Sequence, residues 1–389
     1  MDEAVASEHG AAANAGVTAP QERGWRWFVL GMLAMVAVTA APEWPPALAL
    51  IAGTVRLLLP VEQFAMVVLV SIAACAVVGW WAGGRLSVAI VWGLAAAYVV
   101  WKVPLPVSGY GAFLRGWAVT MGAAFGLVAL ASPAKPVLTR ALGAVALTVV
   151  VTLFGFSTRA PDGGSAFSAP ASMLQLEYQQ RLGASLEAWQ QRTRDPSWQR
   201  LILRFPQVAD RATRLEGLLQ VLVAPSPTLP GTDDGRSGPL VQLAPALLAL
   251  ESLLALALGW AAYHRLARVR IGPPLGALRD LRFNDQLVWG LVVGMTALLL
   301  PTLAEWRVVG LNLIGFFGTL YALRGAGVLT WWIPDRAAGW VLLALVLLVP
   351  VLGPVWVLIA LLAVTFTLGL GDTWRDFRAD AAARRPSSR

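Results

Sequence analysis

Apolar runs of about 20 residues recur along this chain with only short polar breaks between them, and that pattern removes most folds from consideration. A hydrocarbon layer about 30 Å thick is crossed by roughly 20 helical residues. Nothing inside that layer satisfies an open sheet edge or an irregular backbone, so helices are the economical solution. Residues that are 57% hydrophobic and only 13% charged, with a mean hydropathy of +0.65, are too apolar for an ordinary soluble domain. The sequence therefore predicts an all-α, polytopic integral membrane bundle of about nine or ten transmembrane helices, with a small helical extramembrane insert.

Residues 1–24 are Ala- and Gly-rich with Asp2, Glu3, Glu8 and Glu22, and read as a disordered tail. That acidic leader has the wrong sign for a signal peptide, so the first apolar run is expected to be retained although Thr39 to Ala41 resembles a cleavage site. The N-terminal membrane half, 25–158, offers six short spans, near 27–41, 45–61, 64–82, 86–101, 112–131 and 138–157, each ended by Pro, Gly or charge. The second carries Arg56 between Pro45–Pro46 and Pro60, and reads equally as a full span or as a short re-entrant element. Cys75, the single cysteine, excludes an intramolecular disulfide and reads as a packed small residue.

From 159 to 239 the composition turns polar, and no run there is long enough to span. Leu174, Tyr178, Leu182, Leu186 and Trp189 recur at three- and four-residue steps, with Glu177 four residues before Arg181, which predicts an amphipathic helix. Asp195-Pro196 reads as an N-cap followed by Pro at the first helical position, opening a short helix with Trp198, Leu201, Ile202 and Phe205. A third helix is expected from about Pro206 to Leu222, before a Pro/Gly/Ser/Asp-rich linker from Ala224 to Pro239.

The C-terminal membrane half, 240–371, predicts spans near 241–263, 286–304 and 307–331, then a helical hairpin over 338–370 broken at Pro350 to Pro354. A basic tail, 372–389, follows. Arg265, Arg268, Arg270, Arg279 and Arg282 in one short loop, with Arg375, Arg378, Arg384, Arg385 and Arg389 after the last span, place loop and tail on the cytoplasmic side of a bacterial inner membrane. Residues 159–239 then face the opposite side. The net charge of +8 is accounted for by this asymmetry rather than by a nucleic-acid face. Trp25, Trp27, Trp80, Trp81, Trp101, Trp260, Trp306, Trp331 and Trp332 fall near expected span ends, at headgroup level.

An ionisable group in hydrocarbon costs about 2.5–3.5 kcal/mol on insertion scales, so each one asks for a partner or a wet cavity. Glu251 lies near the middle of the 241–263 run, with Arg56, Arg115 and Arg324 as potential counter-charges and Asn312 as a further buried polar group. Two readings stand: a ligand or proton site between the halves, or an internal ion pair fixing helix register. The segment Leu278 to Gly290 alternates Arg, Asp and apolar residues after the helix-breaking Gly272-Pro273-Pro274, and is expected along the membrane surface. Arg279, Arg282 and Asp285, together with Asp372, Arg375 and Arg378, form the candidate surface for anionic lipid headgroups or a cytoplasmic protein partner.

Catalytic patterns are sparse. Histidines occur only at His9 and His264, lysines only at Lys102 and Lys135, and HExxH, GxSxG and P-loop strings are missing. Gly369-Leu370-Gly371-Asp372 matches the GxGD form of intramembrane aspartyl proteases, but that chemistry needs two carboxylates sharing a proton, and no second Asp lies in an apolar run. No enzyme activity, metal or cofactor is expected. Spacings such as Gly290 to Gly294, Gly79 to Gly83 and Ala37 to Ala41 read as helix packing.

Three strings, LRDLRFNDQLVWG from Leu278, GLNLIGFFGTLYALRGAGVL from Gly310 and LGLGDTWRDFR from Leu368, resemble the YybS-like family of bacterial membrane proteins over about residues 240–380. The carrying residues are Gly369, Asp372, Asp376, Phe377 and Arg378. The resemblance implies a multi-span protein of the cytoplasmic membrane, with no activity and no catalytic residues to carry over. It also implies a likeness to the six-helix substrate-binding subunits of energy-coupling vitamin transporters, with which the six short spans of the first half are compatible. The sequence thus points to a non-enzymatic solute-binding or transport-associated subunit; the alternative is a membrane scaffold or assembly factor that recruits proteins through its insert and basic surface.

Overall fold

In a computed structural model, the chain is described over residues 61–102, 109–158, parts of 172–204, 239–332 apart from 267–269, and 355–379. All belong to one compact unit, Val38–Arg389; the other unit, Met1–Ala37, lies outside the described residues. So do the expected spans 27–41 and 45–61, the first arm of the 338–370 hairpin, and the third insert helix.

Every regular element among the described residues is helical, and the chain is a multi-pass all-α membrane bundle. The helices are α1 (Val61–Trp81), α2 (Leu86–Lys102), α3 (Gly109–Ala131), α4 (Val137–Ser157), α5 (Pro196–Arg204), α6 (Ala244–Leu266), α7 (Val288–Leu299), α8 (Arg307–Trp332) and α9 (Val355–Gly371). Five of them, α1, α3, α4, α6 and α8, are long and apolar enough to cross a bilayer. The apolar segments in α2, α7 and α9 are shorter.

Chain chemistry sets these limits. α1 ends in a Schellman turn, with Gly83 N–H donating to Trp80 O and Gly84 N–H to Gly79 O, and Gly83 holds the required positive φ of 96°. α2 starts four residues later and folds back on α1. The expected 286–304 span is cut to 12 helical residues, about 18 Å. Leu300 turns extended before Pro301, and 301–306 continue as 3-10 helix. The 241–263 run is also interrupted: Pro239–Gln242 make a single helical turn, Leu243 bends, and α6 begins at Ala244.

Within the unit, α1 packs against α2, α3 and α6, and α3 against α4. α6 also touches α4 and α8, joining the helices of the two sequence halves, and α8 carries α7 and α9. Without a hydrophobic force between helices in lipid, fit and polar contacts decide packing. Met66, Leu114, Met121, Phe125 and Leu256 are fully buried, and Trp117 Nε1 donates to Ser252 Oγ at 2.9 Å. Gly290 lies directly on the Phe317 ring, Gly294 on the Gly310 carbonyl, and Gly79 under the Tyr263 ring, so these glycines serve close approach, whereas Gly83 faces open space and serves the turn alone. Cys75 is buried as expected. Val91, Leu94, Trp101, Leu127, Phe154 and Ile359 are exposed, an arrangement that suits lipid and not water.

The tryptophans divide. Trp80, Trp81, Trp101 and Trp306 are exposed near helix ends, whereas Trp260, expected in the same belt, has no exposed surface. Its indole is held inside because Nε1 donates to Pro273 O at 3.1 Å and its ring stacks on a guanidinium. In the insert, residues 172–177 are helical with Leu174 and Glu177 buried, and α5 starts at Pro196 as its Asp-Pro signal predicts.

Candidate functional site

The three strings singled out above converge on one place. α8 and α9 meet at Gly325 and Gly369: a Cβ on Gly325 would overlap the Thr365 carbonyl oxygen, and one on Gly369 the Tyr321 carbonyl oxygen. Gly327 admits the Leu278 carbonyl in the same way. Backbone contact this close leaves room for only one arrangement of the neighbouring side chains, and it sets Arg324 of α8 beside Asp372 at the end of α9.

Arg324 uses both edges of its guanidinium. Nε donates to Asp372 Oδ2 at 2.9 Å and Nη2 to the Asp372 carbonyl at 2.9 Å, while Nη1 donates to Asp285 Oδ1 at 2.7 Å. The side chains of Arg324 and Asp372 are 5% and 1% exposed and that of Asp285 is 58%, so the cluster runs from the interior to the surface. Arg378 completes it, 3.7 Å from Asp372 Oδ2, with Nη2 donating to Leu281 O at 2.9 Å. Two arginines against two aspartates leave no net charge, and charge-assisted bonds of this length are what allow a buried pair to recover its desolvation cost. Burial pushes the Arg378 guanidinium below its usual range, partly opposed by Asp372.

The segment after Gly272-Pro273-Pro274 is pinned to α8. Trp331 Nε1 donates to Arg279 O at 3.1 Å, with the Arg279 guanidinium 5.8 Å from the Trp331 ring centre. Phe283 is buried edge-on against Tyr321 at 5.1 Å. Outside the buried core, Arg282 Nη2 reaches both Asp376 carboxylate oxygens at 2.8 and 2.9 Å. That bond, with the Ala379 amide, holds the Asp376 carboxyl below the usual carboxylate range. Trp374, Arg375 and Asp376 form an exposed rim, with Arg375 5.8 Å from the Phe377 ring.

Arg324, Asn312 and Arg115 of the expected intramembrane set each bond residues outside that set. Arg324, a potential counter-charge for Glu251, is committed to Asp372 and Asp285 because the glycine contact brings α9 to it. Asn312 staples the break before α6: Oδ1 accepts from Ala246 N–H at 2.9 Å, and Nδ2 donates to Gln242 O at 2.8 Å and Val308 O at 2.7 Å. The first amides of a helix lack internal acceptors, and here a side chain 66 residues further on supplies one. Glu251 is buried in the middle of α6. Arg115 lies apart, its Nε donating to Val100 O at 3.0 Å, on the wall of a cleft of about 580 Å³ between α1, α2 and α3. Arg56 lies outside the described residues.

Asp372 and Asp285 bind different atoms of one guanidinium, so the GxGD aspartate is an ion-pair partner of Arg324. Among the described residues no three His, Cys, Asp or Glu side chains are grouped to hold a metal. One residue escapes the sequence reasoning: Arg140, in the first turns of α4, is fully buried. Its position at a span end suggests an interfacial arginine, and its only sequence signal is a first turn with no acidic residue. No protein-family model, curated protein or solved structure matches the chain.

Proposed function

We propose that this chain is a non-enzymatic solute-binding or transport-associated subunit of the bacterial cytoplasmic membrane. The observation that carries the reading is the cleft of about 580 Å³, lined by Val70, Ala96, Val100, Trp101 and Val119 with Arg115 as the charged side chain among its described lining residues. An apolar wall with one cation suits an amphipathic solute that has an acidic end. The resemblance of the second-half strings to the YybS-like family supports a place in the cytoplasmic membrane. The pairing of Arg282 with Asp376 supports loop and tail on one side, as the arginine count requires of a cytoplasmic pair. Native mass spectrometry of the protein in lipid discs tests it. The reading expects a co-purifying small acidic molecule that is lost in Arg115→Gln at unchanged melting temperature; an empty protein, or equal retention by the variant, counts against it.

A second reading has its own support. The ion-paired junction presents Arg282, Trp374, Arg375 and Asp376 as a fixed exposed rim, the kind of surface a membrane scaffold or assembly factor offers to a partner. Replacing Trp374 and Arg375 by Ala then removes co-purifying polypeptides, and deleting Ser172 to Leu222 removes any recruited through the insert. An unchanged partner list in both variants rejects it.

A further inference from the structure

Arg140 carries a charge that no described residue meets with a carboxylate or a hydrogen bond. It has no exposed surface, and among the described residues neither Nε, Nη1 nor Nη2 has a hydrogen-bond partner. Its guanidinium carbon sits 4.2 Å from the centre of the Trp260 ring, which packs in turn on Phe125 and His264. A ring face attracts a cation but accepts few of the five N–H bonds that arginine offers. Leaving such a group unpaired in the interior is strongly unfavourable unless something from outside completes it.

The start of α4 adds partial positive charge at the same end. α4 begins after Pro136 with no side-chain cap and no acidic residue in its first turn. The amides of Val137 to Thr139 therefore lack internal acceptors, whereas the Arg140 amide donates to Pro136 O at 3.2 Å. A helical side chain leans toward the N-terminus, so the Arg140 guanidinium and those amides lie at the same end.

A single strap of backbone covers the charge. A Cβ at Gly272 would fall 2.8 Å from Arg140 Nη2 and 2.5 Å from the Pro133 carbonyl oxygen, and Gly272 has a φ of 69°, so both space and conformation demand glycine. Gly272 and the residues to Gly276 are exposed. One layer of chain thus separates a buried, unpaired guanidinium from water at the ends of α3, α4 and α6, the level of lipid headgroups.

We propose that Arg140, the first turn of α4 and the Gly272–Pro273 strap form an anion site that takes a phosphate group when the strap lifts, from an anionic phospholipid headgroup or from free phosphate. A guanidinium fork and a free helix N-terminus both match a tetrahedral anion with several acceptor oxygens.

The test uses the full chain in an uncharged maltoside detergent and phosphate-free buffer, with melting followed during titration of inorganic phosphate or of short-chain phosphatidylglycerol. The wild-type melting temperature rises saturably, by about 5 °C, and Arg140→Met melts no lower than the ligand-free wild type and does not respond. A rise with both probes assigns the site to the phosphate group itself; a rise with phosphatidylglycerol alone assigns it to a lipid headgroup. No rise in the wild type with either probe, or an equal rise in Arg140→Met, overturns the proposal. Should Arg140→Met yield no folded protein, Arg140→Lys keeps the charge without the fork. It then needs about tenfold more ligand for half the rise, and an unchanged midpoint overturns the proposal.

Discussion

Arg324 and Arg140 are both buried on membrane helices, and they are surrounded in opposite ways. Arg324 meets two carboxylates and a carbonyl at hydrogen-bond distance. Arg140 meets an indole face and, among the described residues, no acceptor for any of its nitrogens. The difference teaches that burial alone does not say what an intramembrane charge is for. A charge neutralised within the chain locks helices together, and a charge left open calls for a group the chain does not contain.

The comparison is broken most severely by Asp372→Ala, which removes the buried carboxylate shared by Arg324 and Arg378 and leaves the half-exposed Asp285 as the counter-charge of Arg324. The expected loss is about 3–5 kcal/mol, read by chemical denaturation in detergent. Gly325→Ala attacks the same junction without touching charge: its Cβ meets the Thr365 backbone, so α9 must move off Arg324, at a cost of about 1–3 kcal/mol. Asn312→Ala asks whether any buried polar group behaves like Arg324. Losing an acceptor for a helix-end amide is expected to cost only about 1 kcal/mol, with little change at the Arg324 cluster.

The smallest effect belongs to the exposed Arg282–Asp376 pair, worth about 0.2–1 kcal/mol. Because the Asp376 carboxyl lies below its ordinary value, its contribution is present above about pH 4 and lost as pH falls through the lowered value. Asp376→Asn flattens that acid limb of the stability profile. A loss from Arg282→Gln as large as that from Asp372→Ala contradicts the idea that burial sets the size of the effect.

Much of the fold was legible because a lipid-crossing helix is a local property: α1, α3, α4 and α8 begin and end within a few residues of their apolar runs. Pro301 was visible too, although its power to shorten α7 to 12 residues depends on Leu300 turning extended. The break at Leu243 was hidden, because the acceptor that satisfies Ala246 comes from Asn312 on another helix. Arg279, Arg282, Asp285, Asp372, Arg375 and Arg378 were recognisable as a group from loop and tail composition. Their partner Arg324 was not, since hydropathy reports depth and not which carboxylate the Gly325–Gly369 contact brings near. Arg140 hid for the complementary reason: a first-turn arginine at a span end resembles one that reaches water, and the Trp260 ring and Gly272 strap that enclose it come from distant parts of the chain.

The most direct measurement is the melting of Arg324→Met and Arg140→Met side by side in phosphate-free detergent. Arg324→Met is expected to lose about 3–5 kcal/mol by leaving the buried Asp372 with Arg378 at 3.7 Å in place of its direct hydrogen bonds, while Arg140→Met stays level with the wild type or above it. Destabilisation of the two variants by the same amount would contradict the account, because it would mean that Arg140, like Arg324, is already satisfied inside the protein.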